Sequence, residues 1–120
     1  MRDLIQMAEG AKKASYVLGY ADSVQKNRAL KNIEESLRKN IDIIISENEK
    51  DLENARNKGI SASMLDRLKL TRERINAIAD GVAQVRALAD PIGEVLSMHK
   101  RPNGLVIGKK RVPLGVIGII

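Results

Sequence analysis

Arg101-Pro102-Asn103-Gly104-Leu105-Val106-Ile107-Gly108-Lys109-Lys110-Arg111-Val112-Pro113-Leu114-Gly115-Val116-Ile117-Gly118-Ile119-Ile120 is the stretch on which the reading of this 120-residue chain turns. Its Asn103-Gly104 step, set between extended runs, is the strongest short-range hairpin signal in the chain. From Leu114 to Ile120 there is no polar side chain at all. Near-continuous Val/Ile/Leu runs belong to strands covered on both faces, typically in parallel sheets flanked by helices. Such a strand needs a neighbour on each edge, because backbone amides left unpaired away from water are costly. The expectation is that these residues form the front part of a larger α/β protein, with a central sheet beginning near the last residues.

Working outward, Pro113 bars a continuous central ladder at its own position and separates the apolar run from the hairpin. The hairpin arms are expected over Glu94–Arg101 and Leu105–Val112. Both arms carry charge and neither alternates cleanly, so the helices of this chain are expected to cover the ribbon only in part.

Upstream the period is helical. Leu4, Met7 or Ala8, Ala11, Ala14 or Ser15, and Leu18 predict a helix over 3–18, interrupted at Gly19. A second helix begins near Asp22 or Ser23, either of which can cap it, and carries Leu30, Ile33 and Leu37. The apolar pattern continues through Ile41, Ile44, Ile45, Leu52 and Ala55. Asn40 reads as a joint and Ser46-Glu47-Asn48-Glu49 as a capping box, which favours two abutting helices over 22–57. Lys58-Gly59 suits a helix end. Ser61 caps a short helix over 62–68, and Thr71 caps another whose face is Ile75, Ile78, Val82, Val85 and Leu88. Asp90-Pro91 stops it.

Composition narrows the chemistry. The chain has no Phe, Trp or Cys and two Tyr, so its core must be aliphatic, and a cysteine nucleophile, thiolate metal site or disulfide is excluded within it. The lack of cysteine suits a cytoplasmic protein. No apolar run approaches a membrane span and the N-terminus lacks a signal-peptide core. The net charge of +6 is concentrated in Arg101, Lys109, Lys110 and Arg111, beside the turn. Cations on edge strands guard against aggregation, and no aromatic accompanies them to stack on bases, which argues against nucleic acid. A small standalone basic module that binds an acidic partner or nucleic acid through this hairpin is the alternative reading. Self-association that buries the apolar tail is a third.

Individual side chains add little. His99, the single histidine, lies among cations with no carboxylate close in sequence to orient it, and reads as structural or solvent-facing. Gly115-Val116-Ile117-Gly118 is not a dinucleotide-binding fingerprint, and its glycines read as allowing a helix or ligand to pack closely against a buried strand. Glu47, Glu49, Asp51 and Glu53 read as a solvated helix face. Asp66 and Arg67, embedded between leucines, read as ties from a short helix to neighbouring backbone. No residue is assigned a catalytic, cofactor-binding or metal-ligating role.

Several runs together resemble a known family: Leu65-Asp66-Arg67-Leu68-Lys69-Leu70-Thr71 with Arg74-Ile75, Asp90-Pro91-Ile92-Gly93-Glu94-Val95, Arg101-Pro102-Asn103-Gly104-Leu105, and Val112-Pro113-Leu114-Gly115-Val116-Ile117-Gly118-Ile119-Ile120. They are similar to the gamma-glutamyl phosphate reductases (glutamate-5-semialdehyde dehydrogenases) of the aldehyde dehydrogenase superfamily, collinearly from about Leu4 onward. His99 stands where that family often has an aromatic residue. The resemblance implies NADPH-dependent reduction of L-glutamyl 5-phosphate to L-glutamate 5-semialdehyde with release of phosphate, in proline biosynthesis, by a cysteine thiolate that this chain does not contain. It further implies a helical layer over 1–92, a β-hairpin oligomerisation arm over 93–112, and over 113–120 the first strand of a Rossmann-like cofactor-binding sheet. By itself the chain is expected to be inactive.

Overall fold

The computed structural model describes residues 3–119. Along the chain run α1 (Leu4–Leu18), α2 (Ser23–Lys39), α3 (Ile41–Asn57), α4 (Ala62–Leu68), α5 (Arg72–Ala87), β1 (Val95–Lys100) and β2 (Val106–Lys110). They fall into two compact units: Val24–Leu88, and the described residues up to Ser23 together with those from Ala89 onward.

The Val24–Leu88 unit is built on α3. Its apolar positions recur at three- and four-residue intervals, which puts Ile41, Asn48, Leu52 and Ala55 on one buried stripe. Against that stripe pack α4 and α5, the latter through Ile75, 1% exposed, and Ala79, fully buried. The buried line on α5 continues over Val82 and Ala83, which are half-buried, whereas Ile78, Val85 and Leu88 remain exposed. The α5 face is therefore turned from the expected one. Contact is made through Ala79, whose single methyl lets the α5 backbone come close, so the stripe steps by four from Ile75 and not by three.

Helix ends follow side-chain chemistry. The break at Asn40 yields the two abutting helices that its sequence suggested. Ser46–Glu49, however, lies inside α3 and caps nothing, because the chain is already helical from Ile41. After Asn57 the Gly59 N–H donates to the Arg56 carbonyl (2.9 Å) and the Ile60 N–H to the Ala55 carbonyl (3.1 Å). This is a Schellman closure, for which Gly59 supplies the required positive φ of 72°. The hydroxyls of Ser61 and Thr71 accept from the amides of Met64 and Arg74 and cap α4 and α5.

In the other unit, α1 starts at Asp3, whose carboxylate accepts from the Ile5 amide at 3.2 Å. None of its residues is buried. The Ser23 hydroxyl donates to Asp90 Oδ2 at 3.0 Å, and Asp90 Oδ1 accepts from the Ile92 amide. β1 and β2 form an antiparallel ribbon pairing Lys100 with Val106, His99 with Ile107, Met98 with Gly108 and Ser97 with Lys109, with a bulge between Val95 and Ser97. Backbone bonds between Gly93 or Glu94 and Arg111 extend it, in keeping with the expected arms. Its turn carries positive φ only at Gly104 (86°), not at Asn103. The Gly104 N–H donates to Arg101 O and the Arg101 N–H to Leu105 O. That is a three-residue loop with Pro102 setting the first corner, not a two-residue Asn-Gly turn, and the Asn103 side chain accepts from the Leu105 amide.

The expected strand over 113–120 is not formed among the described residues; Ile120 lies outside them. Leu114 and Ile119 are 90% and 93% exposed. Neither unit here displays a Rossmann-like sheet.

Candidate functional site

The densest polar organisation sits at the corner between α4 and α5. Asn48, buried on the α3 stripe, donates to the Leu68 carbonyl (3.1 Å) and accepts from the Leu70 amide (2.7 Å). A buried side-chain amide thus replaces the backbone partners that the corner lacks. From the other side Arg74 donates to the carbonyl oxygens of Asp66 and Lys69 and to both oxygens of the Asp66 carboxylate, the latter at 3.2 Å. The planar guanidinium fork suits this set of acceptors where a point-charge ammonium would not. The Asp66 carboxylate thus ties the short helix to the Arg74 side chain and not to neighbouring backbone as its sequence setting suggested. Arg67 is exposed, and the guanidinium that reaches the backbone carbonyls is that of Arg74. Asn48 was legible only as part of a false capping box, although its spacing from Ile41, Leu52 and Ala55 places it on the buried stripe, where a polar side chain needs a partner.

A second network links α2 to α5. Arg38 donates to Asp80 Oδ1 (2.6 Å), Asn76 Oδ1 (3.2 Å) and Glu34 Oε1 (3.4 Å), while Arg86 lies 3.4 Å from Glu34 Oε2. The hydrogen bond to Asp80 raises the Arg38 pKa, against some desolvation, with the charge of Asp80 and then Glu34 adding to it. Arg72 pairs with Asp42 from α5 to α3. Beside the α2–α3 joint lies an open groove of about 200 Å³ lined by Ile33, Ser36, Leu37, Asn40 and Ile44.

On the ribbon the cations do not converge. Residues opposite one another share a face, so Lys100 and Lys110 lie on one side with Met98 and Val106, and Lys109 on the other with His99 and Ile107. Arg111 is paired with Glu94 at 2.7 Å. Arg101 sits at the turn, roughly 13 Å of strand away from Lys109. Glu47 pairs with Lys50, and Glu49, Asp51 and Glu53 are exposed. Among the described residues no three His, Cys, Asp or Glu could hold a metal ion, and no helix is long and apolar enough to cross a membrane. Gly115 and Gly118 face open space, with nothing within 4 Å of a would-be Cβ, so no protein atom of the described residues packs closely on them.

What the geometry defines is a helical unit braced by polar ties and an antiparallel two-stranded ribbon with exposed apolar side chains. No protein-family model matches the chain. All 120 residues are 55% identical to gamma-glutamyl phosphate reductase of Caldicellulosiruptor saccharolyticus and 58% identical to that of Clostridium botulinum. The solved reductase of Thermotoga maritima superposes with a TM-score of 0.86 at 37% identity, over 92% of this chain and 27% of that one. The Saccharomyces cerevisiae reductase superposes at 0.79 with 29% identity, over 86% of this chain and 26% of that one. The chain is thus similar along its whole length to gamma-glutamyl phosphate reductases, and spans about 29% of the length of the curated relatives it matches.

Proposed function

We propose that this chain acts as the N-terminal portion of an NADPH-dependent reductase that converts L-glutamyl 5-phosphate to L-glutamate 5-semialdehyde and phosphate, in the cytoplasmic synthesis of proline. The observation that carries the reading is identity of 55–58% sustained across all 120 residues. In such a reaction a cysteine thiolate displaces phosphate from the acyl carbon, and NADPH would supply the hydride that reduces the resulting thioester to the aldehyde and frees the thiolate. The nucleophile, and in this proposal the cofactor contacts, would lie in the remainder of the enzyme; this chain has no cysteine.

Its own contribution is architectural. Residues 1–92 supply the helical layer, 93–112 an arm through which reductase subunits associate as homo-oligomers, and 113–120 the first strand of the cofactor sheet. The exposed apolar residues of the ribbon and tail support those last two assignments, because strands with such side chains are stable only when paired and covered. The test is a chimera in which these 120 residues replace the matching segment of the Thermotoga maritima reductase. Phosphate-dependent NADPH formation from glutamate 5-semialdehyde, assayed in the reverse direction, should be retained, while the 120 residues alone should show none. A folded chimera without activity would refute the proposal.

A further inference from the structure

We propose that Asn103 is a site of spontaneous covalent modification: its side-chain amide condenses with the Gly104 nitrogen to a succinimide, which water opens to isoaspartate or aspartate. Water is the only co-reactant. The Gly104 nitrogen gives up its proton and bonds to Asn103 Cγ. The Cγ–Nδ2 bond breaks, and the side-chain nitrogen leaves as ammonia with that proton. Water then adds to one of the two ring carbonyls. Opening at the backbone carbonyl gives isoaspartate, with the chain running through Cγ, and opening at Cγ gives aspartate.

Asn103 is the only asparagine followed by glycine, so no Cβ hinders the approach of the following nitrogen to Cγ. The pair lies in the exposed loop between β1 and β2, and nothing comes within 4 Å of where a Gly104 Cβ would stand. The Leu105 amide donates to Asn103 Oδ1 at 3.2 Å, which draws charge away from Cγ and holds the oxyanion as the new bond forms. Opposing the step, the Gly104 N–H donates to Arg101 O at 2.9 Å, but at an exposed turn water can take over that bond. Asp80-Gly81 carries the same glycine inside α5, where the backbone is fixed as helix and the carboxylate is held by Arg38. Asn48 is buried with both ends of its amide engaged. Reaction at Asn103 adds an anion two residues from Arg101. In the isoaspartyl form it also adds a backbone carbon to the loop that sets the Lys100–Val106 end of the ladder.

Peptide mapping by mass spectrometry tests this on a full-length reductase carrying these 120 residues. One sample is incubated folded at mildly alkaline pH, as checked by circular dichroism, and another unfolded in guanidinium chloride. Labelling by an isoaspartyl methyltransferase identifies the rearranged product. In the folded enzyme Asn103 should convert within about tenfold of its unfolded rate, and at least about tenfold faster than any asparagine of the helices. Gly104→Ala should slow the conversion at least about tenfold in guanidinium chloride, where no turn is left to strain. Folded-state conversion below either bound would overturn the proposal, as would undiminished conversion in the Gly104→Ala variant. The readout is the mass of one peptide, so it stands or falls independently of reductase activity.

Discussion

Ile75 and Ile107 are the same side chain in two settings. The first lies between α3 and α5 with 1% of its surface in water, and the second stands on a ribbon with 52% exposed. The difference teaches where the free energy of this chain resides. Burying an aliphatic side chain is worth about 1.5–3 kcal/mol, and that gain is collected in Val24–Leu88. The ribbon holds its shape through a short ladder and a well-chosen turn.

The comparison breaks most visibly by truncation. Ile75→Ala should cost about 2–5 kcal/mol, since it removes buried methyl groups and leaves a cavity beside Ala79. Ile107→Ala should stay within about 0.5 kcal/mol, as for other exposed substitutions. Urea unfolding followed by circular dichroism separates them; equal shifts of the midpoint would mean that the ribbon is part of the same cooperative core. Next comes Asn48→Ala, which leaves the Leu68 carbonyl and the Leu70 amide without their partner. A loss of about 1–3 kcal/mol is expected in the same measurement, and a neutral result would show that water replaces the side chain there.

How much of this could be read from sequence differs between the two regions for a physical reason. Caps, helix ends and the hairpin position depend on a few adjacent residues, so Ser61, Thr71, Gly59 and the Asn103-Gly104 step announced themselves. Which way α5 turns depends on where a neighbouring helix can approach, and Ala79 decides that through its small size, a property without local signature. The partner of Asp66 was missed likewise: Arg74, eight residues on and three past the Thr71 cap, is adjacent to it only in space. The 113–120 run carries an unmistakable apolar signal, yet no strand forms over 113–119 among the described residues.

Gly59 and Gly104 sharpen the contrast with one lesion made twice. Both have positive φ, 72° and 86°, where an L side chain costs about 1 kcal/mol. Gly59→Ala strains the closure of α3 and should lower global stability by that amount. Gly104→Ala strains the turn of the ribbon and should leave the unfolding midpoint of the helices unchanged, while amide shifts of β1 and β2 move toward unstructured values. A matching loss of helix stability on Gly104→Ala would show the two units to be coupled.

The smallest expected effect is electrostatic and belongs to the start of α5. The Glu73 carboxyl is held below its ordinary 4.5, first by a hydrogen bond from its own backbone amide, then by the Thr71 hydroxyl, with slight desolvation opposing and the charge of Arg72 assisting. A group whose pKa is lower folded than unfolded stabilises the fold fully above the unfolded value, and that contribution disappears as pH falls through the folded one. Glu73→Gln removes the charge from the first turn, where the helix N-terminus favours it. The native chain should therefore be slightly more stable than the Glu73→Gln variant at neutral pH, with the gap closing as the pH falls below about 4.5. Parallel urea titrations across that range measure it. A gap that is constant or widens in acid would place the stabilisation in the shape of the side chain and not in its charge.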